Sequence, residues 1–125
     1  MKAEKLIYLD FFGAVLTTVL LLWVVYPLSP IFGIIPAHIY GLASYAGAIV
    51  VLHLFNRISS AIRMRPFLIV LMIANVGYIL FTIFFLIRNT DTLTFYGWIY
   101  FLAEMLIILV IIRLELKASQ ALSGE

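Results

Sequence analysis

The sequence predicts an all-α fold: a polytopic membrane protein whose four transmembrane helices form a bundle, with the N-terminus and the C-terminus in the cytoplasm. Three observations lead to this prediction. The composition is that of a chain surrounded by lipid, four apolar segments each have the length of a membrane span, and the basic residues are concentrated on one side of the resulting arrangement. Together they describe one transmembrane domain formed by residues 1–125.

The composition identifies lipid as the solvent. Of the 125 residues, 66% are hydrophobic and 11% are charged, whereas a soluble domain is typically about 45–50% apolar and about 25% charged. A soluble fold of this size could not hide so much apolar surface. The sequence has no basic cluster interleaved with aromatic side chains, which disfavours nucleic-acid binding. It also has no cysteine, which excludes disulfides, thiolate metal sites and iron–sulfur clusters.

Four apolar segments supply the predicted spans, at about residues 6–26, 37–55, 67–87 and 95–116. Each is close to the ~20 residues that an α-helix needs to cross about 30 Å of hydrocarbon. The prediction therefore assigns nearly the whole chain to membrane-spanning helices.

The connections carry helix-breaking and helix-capping residues. Pro27–Pro36 cannot continue a helix, and Pro36 suits the first position of the next one. The apolar stretch Ile31–Ile35 is expected either to lie in the membrane interface or to form a short re-entrant segment or lid. Asn89–Thr92 offers capping side chains before the fourth span.

Basic residues set the predicted orientation. Seven fall on one side of a four-span arrangement and Arg88 falls alone on the other, a strong positive-inside bias. Both termini are therefore expected in the cytoplasm, and the chain is expected in a bacterial inner membrane. The seven basic residues on the predicted cytoplasmic side are Lys2, Lys5, Arg57, Arg63, Arg65, Arg113 and Lys117.

Glu104 interrupts the otherwise apolar fourth span near its middle. A carboxyl group at that depth costs ~2.5–3.5 kcal/mol on insertion scales, so we expect Glu104 to face the bundle or an interface between subunits. Tyr45, Asn75 and Tyr78 lie at similar depths on the other spans, and Tyr100 lies one turn from Glu104. Desolvation favours the neutral form of such a carboxyl group.

Two interpretations of this polar layer remain open. In the structural one, a neutral Glu104 forms a hydrogen bond with Asn75 and fixes the register of the helices. In the functional one, the five residues bind a ligand, a cation or a proton, because acidic residues inside membranes commonly mark ion or substrate pathways. The candidate ligand- or ion-binding residues are Glu104, Asn75, Tyr45, Tyr78 and Tyr100.

A second polar group is expected near the cytoplasmic ends of the spans, formed by Asp10, His53, Asn56 and Arg113. We expect a structural ion pair of Asp10 with either Arg113 or His53, with Arg113 extending its side chain to the interface. The alternative is a cytoplasmic gate or proton entry in which His53 changes protonation near physiological pH.

Function is predicted at the level of a class. We expect a small, oligomeric integral membrane protein that binds or translocates a small solute, an ion or a proton at Glu104. One alternative is a non-catalytic accessory subunit of a larger membrane complex, and another is a membrane haem protein using His38 and His53. No catalytic motif, metal site or cofactor is predicted, which disfavours an enzyme. Small residues such as Ala43 and Gly47 favour close helix packing, within the bundle or between copies.

Overall fold

The computed structural model describes residues 2–59 and 63–123, and within these ranges the chain is helical and contains no strand. Four of its helices are long and apolar enough to cross a membrane. This confirms an all-helical fold with four candidate spans. The elements are α1 (Ala3–Leu20), which continues as a π-helical turn over Leu21–Val25, α2 (Ser29–Phe32), α3 (Pro36–Ser59), α4 (Met64–Arg88) and α5 (Phe95–Ser123).

The four long helices form two hairpins packed side by side. Helix α1 packs most extensively against α3, and α4 packs most extensively against α5. Their inward faces form one large apolar core, while many other large apolar side chains point outward, as expected for helices surrounded by lipid. The core includes Leu21, Val25, Ile39, Leu42, Tyr78, Leu86 and Phe101.

Helix α5 continues beyond the predicted limit of the fourth span and ends at Ser123. Its last two turns are held by packing, because Ala118 is buried against Leu6 of α1 and Leu68 of α4. This packing turns a segment expected at the membrane surface into part of the bundle, and it brings the polar residues of that segment inside.

The two connections at the opposite end of the bundle are joined to each other. Of the apolar segment expected as an interfacial loop or a lid, Ile31 and Phe32 belong to the short helix α2, which lies against the start of α5, and Gly33 then turns the chain. Thr94 donates its main-chain N–H to the carbonyl of Phe32 at 3.3 Å, and Thr92 donates its hydroxyl to the carbonyl of Gly33 at 2.8 Å. Gly33 has a φ of 74°, so only glycine fits this turn without strain.

Asn89 connects α4 to α3. Its side-chain oxygen accepts the main-chain N–H of Ile35 at 3.0 Å, and its side-chain nitrogen lies 2.7 Å from Nδ1 of His38. The start of α5 is capped instead by Thr94, whose hydroxyl oxygen accepts the N–H of Gly97 at 3.2 Å. The polar groups of this turn are thus satisfied within the protein, as a membrane protein requires.

We expect Gly97→Ala to destabilise the protein. A Cβ atom at Gly97 would lie 2.1 Å from the main-chain oxygen of Phe32, so α2 would have to move away from α5. The free energy of unfolding should fall by about 1–3 kcal/mol, the usual cost of overpacking. Thermal unfolding in detergent, followed by circular dichroism, measures this change.

Gly13→Ala is the matched control, because the nearest atom to its added Cβ would be Cδ1 of Ile111 at 4.0 Å. This variant should be at least as stable as the parent, since alanine favours helix over glycine. Equal stability of the two variants would contradict the packing of α2 on α5.

Candidate functional site

Glu104 lies on the inward side of α5, next to the hydroxyl groups of two tyrosines. The hydroxyl of Tyr78, on α4, donates to its Oε1 at 2.7 Å. Tyr100, one turn earlier on α5, is close enough to Glu104 for a direct electrostatic interaction. The Tyr100 hydroxyl is nevertheless buried and has no hydrogen-bond partner within residues 2–59 and 63–123. The carboxyl group therefore has two hydroxyl neighbours, of which Tyr78 forms the hydrogen bond of good geometry.

A cavity of about 260 Å³ lies against Glu104, mainly between α1 and α5. Its lining is largely apolar. Leu16, Ile99 and Ile107 line the cavity and are also exposed on the outer surface of the bundle. The cavity therefore opens sideways, between α1 and α5, toward the surrounding lipid. Its polar lining residues are Asp10, Thr17, Asn75, Tyr78, Tyr100 and Glu104.

Four buried polar residues, one from each long helix, meet beside this cavity, and two of them, Asp10 and Asn75, line it. The side-chain nitrogen of Asn75 donates to Oδ2 of Asp10 at 2.8 Å and to Oε1 of Glu115 at 3.0 Å. Nε2 of His53 lies 2.9 Å from Oδ1 of Asp10. Each residue is less than a tenth exposed, and Glu115 is fully buried. We call Asp10, His53, Asn75 and Glu115 the four-helix cluster.

Helical spacing explains why these residues meet. On α4, residues 68, 71, 75, 78, 82 and 86 are buried, and steps of three and four place them on one face of a helix. Asn75 and Tyr78 are members of that face. On α5, Glu104 and Glu115 are eleven residues apart, which is about three helical turns and leaves them on the same side. Both glutamates therefore point toward the bundle.

The structure brings together only part of the polar layer predicted around Glu104. Tyr78 and Tyr100 lie beside Glu104. Asn75 lines the same cavity, but its amide nitrogen donates to Asp10 and Glu115 of the four-helix cluster and not to Glu104. Tyr45 donates its hydroxyl to a main-chain carbonyl of α4 at 2.9 Å, and its ring packs against Tyr78. Tyr45 therefore packs against the ring of Tyr78 and is not among the residues that line the cavity.

The second predicted polar group is also rearranged. Of the two expected ion pairs, Asp10 makes the contact with His53, while Arg113 is exposed on the outside of α5. Asn56 and His53 line a second cavity of about 280 Å³ between α1 and α3. The side-chain oxygen of Asn56 is buried there without a hydrogen-bond partner in the described part of the chain.

Glu115 is the site residue that sequence analysis does not single out. It lies near the predicted end of the fourth span, beside Arg113 and Lys117, where a charged residue is expected at the membrane surface. The available signal was its spacing of eleven residues from Glu104, which places both carboxyl groups on one face of α5. Because α5 extends to Ser123, that face stays buried as far as Glu115.

The two histidines lie in different environments. His53 contacts Asp10 in the four-helix cluster. His38 contacts Asn89 and stacks on Phe85 with 4.4 Å between ring centroids. Both imidazoles therefore already take part in the packing and hydrogen bonding of the fold. Among the described residues, no group of three or more histidine, aspartate and glutamate side chains is arranged to hold a metal ion.

Comparison of the chain with protein-family models, with curated proteins and with solved structures gave no match. No ligand, partner or activity is therefore carried over from another protein. The cavity beside Glu104 and the four-helix cluster are the features from which function is argued.

We expect Asn75→Leu to destabilise the protein strongly. The substitution roughly keeps the volume but removes the donor shared by Asp10 and Glu115, leaving buried carboxyl oxygens without partners. The free energy of unfolding should fall by at least about 1.5–3 kcal/mol, the usual worth of a hydrogen bond to a charged group. Thermal unfolding in detergent measures the loss.

Arg113→Gln is the control, because Arg113 is exposed and was the partner of Asp10 proposed from the sequence. The Arg113→Gln variant should be as stable as the parent protein. If Arg113→Gln costs as much as Asn75→Leu, the arrangement of the four-helix cluster is wrong.

Proposed function

We propose that the protein binds a small solute or ion at Glu104 and moves it across the membrane. The observation that carries this proposal is the cavity of about 260 Å³ into which Glu104 faces. A buried hydroxyl group without a partner is uncommon in folded proteins and calls for an explanation. A ligand that contacts both Glu104 and the hydroxyl of Tyr100 supplies one.

The lining indicates the chemistry of the ligand. One carboxyl group in a largely apolar cavity favours a small molecule with an apolar body and a cationic or hydrogen-donating group. The volume is slightly below the ~300–1,000 Å³ typical of small-molecule pockets, which favours a compact ligand. Because the cavity opens between α1 and α5, we propose that the ligand enters from the lipid and not along the axis of the bundle.

We further propose that both termini are cytoplasmic and that the protein resides in a bacterial inner membrane. The support is the positive-inside bias of the basic residues. Two of these residues contact the first or the last helix near the chain termini. Arg57 donates to the hydroxyl of Tyr8 at 2.8 Å, and Nε of Arg65 donates to the carbonyl of Ser119 at 3.2 Å. Arg88 lies at the opposite end of α4.

We propose that transport requires an oligomer and that α3 supplies the contact between subunits. Ala43 is buried within the bundle, whereas Ser44 and Ala48 are exposed. A Cβ atom at Gly47 would have no neighbour within 4 Å. These small residues leave a shallow outer face on which another helix could pack closely. The same face favours the second candidate function, an accessory subunit that binds a different membrane protein.

We expect Glu104→Gln to abolish or strongly reduce ligand binding and flux. The test uses purified protein in liposomes, with benzylamine as the compact apolar cation and an internal pH-sensitive dye that reports linked proton movement. Loss of a hydrogen bond to a charged group costs about 1.5–3 kcal/mol, so benzylamine affinity should fall about tenfold or more.

Asp91→Asn is the matched control, because Asp91 is an exposed acid outside the long helices and its loss should leave binding unchanged. Tyr100→Phe should weaken benzylamine binding with little loss of stability, since its hydroxyl forms no hydrogen bond of good geometry with the described residues. Benzylamine binding and flux that are absent in the parent, or unaffected by Glu104→Gln, would favour the accessory subunit.

The chain has no cysteine, so a single introduced cysteine reports contacts between subunits directly. We expect Ala48→Cys to form a disulfide-linked dimer in membranes under mild oxidation. The control is Ile73→Cys, on the outward face of α4, where we expect little cross-linking. Equal cross-linking at both positions would indicate random collision, and no cross-linking at position 48 would contradict a homo-oligomer packed through α3.

A further inference from the structure

The four-helix cluster contains more hydrogen-bond acceptors than the donors around it can satisfy. The nitrogen of Asn75 uses its two hydrogens on Asp10 and Glu115. His53 contacts the second oxygen of Asp10. Glu115 is fully buried, and its Oε2 has no hydrogen-bond partner among the described residues.

The carboxyl groups of Asp10 and Glu115 lie next to each other, because the same Asn75 nitrogen donates to an oxygen of each, at 2.8 Å and 3.0 Å. Two ionised carboxylates are both acceptors and cannot form a hydrogen bond, and their like charges repel most strongly where water is excluded. A proton on one of them converts it into a donor and removes the repulsion. The oxygen available for that proton is Oε2 of Glu115, because both oxygens of Asp10 are already engaged.

We propose that the Asp10–Glu115 pair is a proton-binding site that holds one proton at neutral pH. The proton resides on Oε2 of Glu115, which donates to Asp10. Asp10 remains ionised and accepts hydrogen bonds from Asn75 and His53. The single proton lowers the charge of the carboxyl pair from −2 to −1, which burial away from water favours.

The groups around the pair on every helix fit this assignment. On α3, His53 faces Asp10, while Arg57, one turn later, contacts Tyr8 at the surface. On α4, Asn75 is an uncharged donor and Tyr78 contacts Glu104. On α5, Glu104 is about three turns away and Arg113 is exposed. On α1, Glu4 is exposed and lines the second cavity. Within the described ranges, His53 is thus the one titratable base in contact with the pair.

The cluster also separates the two cavities. Asp10 and Asn75 line the cavity that contains Glu104, whereas His53 lines the second cavity between α1 and α3. The first cavity therefore borders the pair directly at Asp10, whereas His53 stands between the pair and the second cavity. The site has its own donors and acceptors, so it does not depend on a ligand at Glu104.

Infrared spectroscopy of the protein in lipid, at neutral pH and in the Glu104→Gln background, tests the proposal. This background removes the other membrane-embedded carboxyl group. We expect an absorption band of a protonated carboxyl group that shifts in heavy water. The band should shift when glutamate carries a ¹³C-labelled carboxyl group and stay in place when aspartate does. Isotope labelling leaves the cluster intact, so the result does not rely on folding of an altered cluster.

Adding Glu115→Gln should remove the band, whereas the control Glu4→Gln should leave it unchanged. Absence of a protonated-carboxyl band at neutral pH would overturn the proposal. A band that shifts only with labelled aspartate would overturn the assignment of the proton to Glu115. A band that persists after Glu115→Gln would do the same.

Discussion

The amide nitrogen of Asn75 donates to two carboxyl groups that come from different helices, and the arrangement of the bundle depends on this contact. Hydrocarbon offers no alternative partner, so buried carboxyl groups depend on hydrogen-bond donors supplied by the protein. Asn75 joins α4 to α1 through Asp10 and to α5 through Glu115, and His53 adds α3. One residue thus limits how all four helices can rotate and slide.

The cavity beside Glu104 follows from where α1 and α5 are held together. At one end of the bundle they meet through the four-helix cluster and through the packing of Leu6 with Ala118. At the other end, the segment that follows α1 returns as α2 and packs on the start of α5, where Gly97 allows close approach. Between these two points α1 lies mainly against α3 and α5 mainly against α4. The gap between α1 and α5 therefore arises because each of these helices packs mainly against a different neighbour.

The sequence was sufficient to predict the spans, because length and hydropathy alone determine which segments can cross a membrane. It was insufficient for the rotation of each helix, because apolar side chains cover nearly the whole circumference of every span and mark no single inward face. Asn75 was accordingly assigned to Glu104 because the two lie at similar depths in the membrane. The side chain of Asn75 instead points toward Asp10 and donates a hydrogen bond to it. Glu115 was overlooked because its neighbours Arg113 and Lys117 resemble a surface segment, and only tertiary packing extends the buried face of α5 that far.

Asn75 and Tyr78 stand one turn apart on the same face of α4, yet they serve different acids. Asn75 contacts the carboxyl pair of Asp10 and Glu115, and Tyr78 contacts Glu104. A helix moves as a stiff rod, so α4 cannot twist or slip lengthwise enough to release one of these contacts while leaving the other undisturbed. Helix α4 thus carries two adjacent polar side chains on one face, and each of them contacts a different acidic site. A displacement of α4 that disturbs the contact between Tyr78 and Glu104 therefore also disturbs the contacts of Asn75 with Asp10 and Glu115.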